Sequence, residues 1–226
     1  MVASNGLARR NAILGEIGIM QWRLRTPAAG CGEAGAAGAG VDWDGLRAAV
    51  RDCTSCALHR SRTQTVFGVG SRSARWMIIG EAPGAEEDRQ GEPFVGPAGQ
   101  LLTEMLRAVG LGREQVFIAN ILKCRPPDNR DPQPAEIEAC SRHLAAQVDA
   151  IRPRLILAVG RIAAQSLLGQ DLPVGRLRGR VHSYGASATP LVVTYHPAYL
   201  LRSPAEKRKS WDDLRLARGT VAPAGP

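Results

Sequence analysis

Four short apolar runs, separated by stretches of helical periodicity, constrain this chain more than any other feature. They are RWMIIG (75–80), QVFIAN (115–120), RLILAVG (154–160) and LVVTY (191–195). Runs that are apolar on both faces read as strands of a parallel sheet covered on both sides. Between them, residues 98–109 place Leu101, Leu102, Met105, Leu106 and Val109 on one helical face. Residues 134–151 open with Pro134 and the early acids Glu136 and Glu138, as helix starts do. A short helix is expected at 162–168, a basic loop or edge hairpin at 175–184 and a closing helix at 204–218. Ahead of them all, Trp43, Leu46, Ala49 and Val50 recur at helical spacing before Cys53. The alternation predicts a three-layer α/β/α fold around a central, mostly parallel four-stranded sheet.

Residues 1–40 stand outside that pattern. Residues 26–40 are mostly Ala and Gly, with no apolar face to offset the entropy of ordering. A disordered extension is expected there, with Cys31 a stray thiol, followed by one folded domain over 41–218 and a frayed tail over 219–226. No window approaches the ~18 uninterrupted apolar residues of a spanning helix, and the first residues lack a clean signal-peptide pattern. A cytoplasmic protein is expected, nucleoid-associated in a prokaryote, without a membrane partner. Lys and Arg number 29 against 21 Asp and Glu, a net charge of +8, and nearly all the cations are Arg. That balance favours polyanionic partners, nucleic acid above all, while remaining compatible with a basic enzyme that has no DNA role.

In a parallel α/β sheet, ligands bind outside the carboxyl ends of the strands. Three predicted strand ends therefore define one mouth. Gly80-Glu81-Ala82-Pro83-Gly84 follows the first strand, Asn120 ends the second, and His196-Pro197 follows the fourth. Glu81 at that position can position water or stabilise developing positive charge, although acids also cap helix starts. Phe94 sits in a Gly/Pro-rich loop, GEPFVGPAG (91–99), where it can stack on a planar base or plug the core. Asn120 offers donor and acceptor together, the pairing that reads one edge of a nucleobase. Beyond His196, Leu200 and Leu201 beside Arg202 combine apolar tips with phosphate-seeking charge, a candidate wedge into a duplex.

Cys53 and Cys56 form a CxxC pair, Cys124 follows the second strand, and Cys140 lies in the next helix. Four thiolates suit a tetrahedral zinc or an iron–sulfur cluster, and in either case a structural clip. The sequence lacks a Gly-Lys-Ser/Thr phosphate loop, a His-Glu-x-x-His helix and a Gly-x-Ser-x-Gly elbow.

Taken together, Gly80-Glu-Ala-Pro-Gly84 with Glu87-Asp88, PFVGPAGQLL (93–102), NILKCRPP (120–127) with Asn129, and HPAYLLR (196–202) resemble the motifs of the iron–sulfur-containing family 4 uracil-DNA glycosylases. The resemblance runs from about residue 52 to residue 211. It implies excision of uracil from DNA as the first step of base-excision repair, with a 4Fe–4S cluster on Cys53, Cys56, Cys124 and Cys140. It further implies that Phe94 stacks on the extruded uracil, Asn120 bonds its pairing edge and His196 contacts O2 of the leaving base. The backbone at Ala82 would border the pocket, and Glu81, Glu87 and Asn129 would organise water and the transition state. Leu200, Leu201 and Arg202 would enter the duplex. A superfamily relative is trapped covalently through a His in an Arg-rich insertion; RPPDNRD (125–131) has neither, so turnover is expected. Monomeric action is the default expectation. The rival expectation is a non-catalytic, metal-stapled module that binds nucleic acid without cleaving it.

Overall fold

The computed structural model describes residues 41–221. The extension expected at 1–40, with Cys31, and residues 222–226 lie outside the described residues. Among those described, six strands form one sheet: β1 (Val69–Gly70), β2 (Trp76–Gly80), β3 (Phe117–Asn120), β4 (Leu155–Val159), β5 (Val181–Tyr184) and β6 (Thr189–Thr194). Their order is β1-β3-β2-β4-β6-β5. The inner four run parallel, and the two outer strands pair antiparallel.

The expected four-stranded sheet is thus the centre of a six-stranded mixed one. The extra strands escape a pattern search for physical reasons. β1 is two residues long, too short to alternate. β5 is an edge strand with the half-exposed sequence VHSY, so it has no apolar run to show. It forms the edge hairpin that was one of two expectations for residues 175–184.

The helices are α1 (Trp43–Arg51), α2 (Ala85–Gln90), α3 (Pro97–Ala108), α4 (Pro134–Ile151), α5 (Arg161–Leu168), α6 (Val174–Leu177), α7 (Pro197–Arg202) and α8 (Lys207–Val221). Pro at the first turn opens α3, α4 and α7, where its missing N–H costs nothing. Residues 219–221, expected to fray, continue α8.

The period-two geometry of the strands sorts the core into two layers. Met77, Ile79, Ala119, Ile156, Ala158 and Val193 face α1, α4 and α5 through Trp43, Val50, Leu144, Val148, Ile151 and Ala163. Trp76, Ile78, Ile118, Leu155, Leu157 and Val192 face α3 and α8 through Leu102, Leu106, Leu214 and Ala217. Each fully buried aliphatic side chain contributes about 1.5–3 kcal/mol. Both faces are covered, so the carboxyl-end rim of the sheet is left to be shaped by loops.

Candidate active site

The loops after β2, β3 and β6 enclose one cavity of about 530 Å³. Glu81, Ala82, Glu87, Phe94, Asn120, Asn129, His196 and Arg202 all line it. That volume falls in the range of small-molecule sites.

Asn120 closes β3 opposite Gly80 of β2. A Cβ on Gly80 would sit 2.5 Å from Asn120 Oδ1 and 2.6 Å from Phe94 Cζ, so glycine is required for both side chains to reach the mouth. Asn120 is buried, and its Oδ1 has no hydrogen-bond partner among the described residues. A buried orphan acceptor is costly to leave unpaired, which marks it as a group aimed at a ligand.

His196 caps the start of α7, where its Nδ1 accepts the Ala198 N–H at 3.2 Å. The imidazole proton therefore resides on Nε2. Burial, aided by the Arg202 charge, lowers its pKa to about 4 against the pull of Glu87, so the ring is neutral at pH 7. A Cβ on Gly160, whose φ is +96°, would lie 3.0 Å from His196 Cβ, so β4 also makes room for the ring. The Phe94 and His196 rings stack with centroids 5.6 Å apart and planes 29° from parallel.

Phe94 has φ +56°, a left-handed conformation disfavoured for a bulky residue. Its neighbours hold it there. Arg113 donates to the Pro93 carbonyl, while Glu87 Oε1 accepts from Val95 N–H at 3.0 Å and Gly96 N–H at 3.4 Å. The other carboxylate oxygen of Glu87 accepts the Gly84 N–H at 3.1 Å. Glu87 is thus a staple for the loop, with both oxygens engaged by backbone N–H groups, while it also lines the cavity.

The remaining acids of that turn divide cleanly. Asp88 is buried and takes the Thr63 N–H on both oxygens at 3.0 Å, and Glu86 pairs with Arg89 outside. Glu81 is half-buried and makes no side-chain hydrogen bond among the described residues; burial and then the charge of Asp131 raise its pKa, against Arg161. Of the acids described at this turn it is the one at the cavity without such a bond. Asn129 reaches the opposite wall with φ +54°, a conformation Asn tolerates, and its Oδ1 accepts from Arg125 Nε at 2.8 Å.

On α7, Ala198 and Arg202 face the cavity, one helical turn apart. Leu200, midway between them, points the other way and is 1% exposed in the core beneath. The expectation that Leu200 enters a duplex is overturned, because the side chain could leave only by breaking the core. Leu201, 45% exposed, and the exposed Arg202 stand free beside the mouth.

The cysteines gather at a second place. Cys53, Cys56, Cys124 and Cys140 line one small cavity and are free thiols. Sulfur acceptors are met by donors there: Arg62 Nη1 to Cys124 at 3.0 Å, the Lys123 N–H to Cys140 at 3.3 Å and Arg142 Nη2 to Cys53 at 3.6 Å. Burial pushes the Cys140 thiol up to about 11, against the lowering effect of Lys123. N–H donors and cations around four convergent sulfurs suit a group that takes them as thiolates. Thiolates about 2.3 Å from one zinc would lie roughly 3.8 Å from each other. Among the described residues, no three His, Cys, Asp or Glu side chains are arranged to hold a single ion.

Residues 67–215 match the family model described as the uracil DNA glycosylase superfamily. The chain belongs to that superfamily. Within it, the chain is 43% identical over 172 residues to the type-4 uracil-DNA glycosylase of Archaeoglobus fulgidus, covering 74% of this chain and 86% of that protein. The type-4 uracil-DNA glycosylase of Thermotoga maritima is 41% identical over 179 residues, 78% of this chain and 93% of that protein. That of Pyrobaculum aerophilum is 41% identical over 185 residues, 79% and 94% respectively.

In this member of the uracil-DNA glycosylase superfamily, several residues that line the cavity were not singled out from the sequence. Arg130 lines the cavity while its guanidinium forks onto Glu136 at 2.9 and 2.6 Å. Pro126 and Ala198 supply apolar wall. The only signal for Arg130 was its place in the polar loop after the third cysteine. Lys123, between Asn120 and Cys124, is a further unforeseen feature, since a buried lysine carries no mark in a sequence. No helix among the described residues is long and apolar enough to cross a membrane.

Proposed function

We infer that this chain excises uracil from DNA in base-excision repair, hydrolysing the N-glycosidic bond of a flipped nucleotide to leave an abasic site. The observation that carries the reading is the convergence of a neutral His196, the orphan acceptor of Asn120 and the Phe94 ring on one cavity. A uracil edge offers both N–H and carbonyl groups, so an Asn amide meets it with donor and acceptor together. Phe94 gives the ring a face to stack on.

The reaction separates charge. As C1′–N1 breaks, the bonding electrons leave with uracil, and positive charge grows on the sugar. His196, with Nδ1 engaged by Ala198, presents Nε2–H to the departing O2 and stabilises the anion without first giving up a proton. Glu81 lines the same cavity; beside the sugar, its carboxylate would favour the cation and accept a proton from the water that adds to C1′. Glu87 keeps Phe94 in place, and Asn129 and Arg130 form the opposite wall. The base must leave the stack to arrive there, and Leu201 with Arg202 stands where a side chain could fill the gap and hold a phosphate. Action as a monomer is part of this reading.

Cys53, Cys56, Cys124 and Cys140 would hold a 4Fe–4S cluster. Bound, it would clip the segment after α1 to the β3 loop and α4 and would take no part in bond cleavage. The donor set around the sulfurs suits thiolates of either metal group, and it is the resemblance of the motifs to the iron–sulfur-containing family that favours the cluster over zinc. Incubation with an end-labelled, uracil-containing oligonucleotide tests the function. An alkali-sensitive abasic site is the expected product; retardation of the oligonucleotide without cleavage would refute catalysis. Iron and sulfide analysis tests the cluster, and a colourless, zinc-loaded, active protein would refute it.

A further inference from the structure

The molecule buries several charges, and all but one have an obvious answer. Glu136 is met by Arg130, Asp213 by Arg178, and Asp88 by backbone N–H groups. Lys123 is the exception. It is 1% exposed, and among the described residues no carboxylate pairs with it. Its Nζ donates to two neutral oxygens, the Asn120 carbonyl at 2.9 Å and Gln147 Oε1 at 2.7 Å. A buried ammonium held only by neutral groups is strongly unfavourable unless a negative charge stands nearby. The negative charge within reach is sulfur once the cysteines hold the cluster as thiolates: Lys123 precedes Cys124, its own N–H bonds Cys140 Sγ, and it lines the cavity of the four cysteines.

The same side chain touches the other site. The carbonyl it holds belongs to Asn120, whose amide is the orphan group at the uracil cavity. Gln147, fully buried on α4, completes the support by donating to the Phe67 carbonyl at 2.8 Å. We propose that Lys123 is a positioning residue that couples the two sites: its ammonium is the fixed counter-charge of the caged cluster, and it clamps the Asn120 backbone so that the amide meets uracil in register. The proposal rests on the reading that the cysteines hold an iron–sulfur cluster in a uracil-excising enzyme. It adds a reason for the cage to lie directly behind the base-reading strand.

Lys123→Met in the full-length, cluster-loaded protein tests it, because methionine keeps the stem and removes the charge. Two readouts are expected to move together. The reduction potential of the cluster becomes more negative, since an electron added beside a cation is better stabilised than one added beside an apolar tip. Single-turnover uracil excision slows on the order of ten- to a hundred-fold, as a displaced binding group predicts, with affinity for an abasic-site oligonucleotide unchanged. A residue serving packing alone would not shift the potential. Either readout at its wild-type value overturns the coupling. Should Lys123→Met prove insoluble, Gln147→Leu decides: it keeps the charge and removes the support, so excision slows while the potential holds, and wild-type excision overturns the proposal. Wild-type protein lacking iron or lacking excision would instead refute the underlying reading, so the two failures are distinguishable.

Discussion

At the scale of single residues, the chemistry turns on which proton His196 carries. An ordinary histidine titrates near 6.5, whereas this one is held at about 4. As pH falls below 6.5 an unfolded chain takes up the proton first, and the native protein follows only near 4. The stability contribution of the buried neutral ring is therefore complete above 6.5 and is lost as pH falls from 6.5 to 4. The chemical step, followed in single turnover across pH, should show no inflection near 6.5 from this group; an acid limb there that disappears in His196→Gln would contradict the assignment. Gly80 gives a second residue-scale prediction. The methyl of Gly80→Ala would land 2.5 Å from Asn120 Oδ1 and 2.6 Å from Phe94 Cζ. Excision should fall on the order of a hundred-fold, with the thermal midpoint changed far less than in a core variant. The place of Asn120 and His196 at the cavity was legible because they follow predicted strand ends. The division between Glu81 and Glu87 was not, since it depends on which backbone N–H groups each carboxylate meets.

Elements decide which side chains are free to act. The Phe94 loop keeps its left-handed turn through Glu87, which accepts three backbone N–H groups. Removing those acceptors in Glu87→Ala should cost about 1–3 kcal/mol in denaturant unfolding and should weaken inhibition by free uracil. Unchanged uracil inhibition would show that the staple does not organise the pocket. α7 makes the complementary point. Leu200→Ala should destabilise the fold by about 2–5 kcal/mol and leave the DNA surface intact, whereas Leu201→Ala should leave stability unchanged and slow excision from duplex more than from single strands. Equal stability of the two variants would contradict the helix orientation. The sequence showed leucines side by side at 200 and 201 without revealing the rotation of so short a helix, and that rotation sends one into the core and the other to solvent.

The whole molecule is a basic chain that presents one cavity to a polyanion. Its four inner strands were legible because strands covered on both faces must be apolar throughout. The outer two escaped because one is two residues long and the other is half-polar. The cysteine cage was legible as four thiols, while its connection to the base-reading strand through Lys123 lay hidden until the chain was folded. Binding to an abasic-site oligonucleotide should weaken linearly in log–log form as salt rises, and Arg202→Ala should reduce the slope by about one if that side chain contacts a phosphate. An unchanged slope would remove Arg202 from the DNA surface. The most direct measurement is the single-turnover release of uracil from a duplex with a U:G mispair by three iron-replete proteins: wild type, Asn120→Ala and His196→Ala. The wild type should release free base, and each variant should lose at least about a hundred-fold in rate while keeping its colour and DNA affinity. Wild-type rates in either variant would contradict the assignment of this cavity as the place where uracil is cut from DNA.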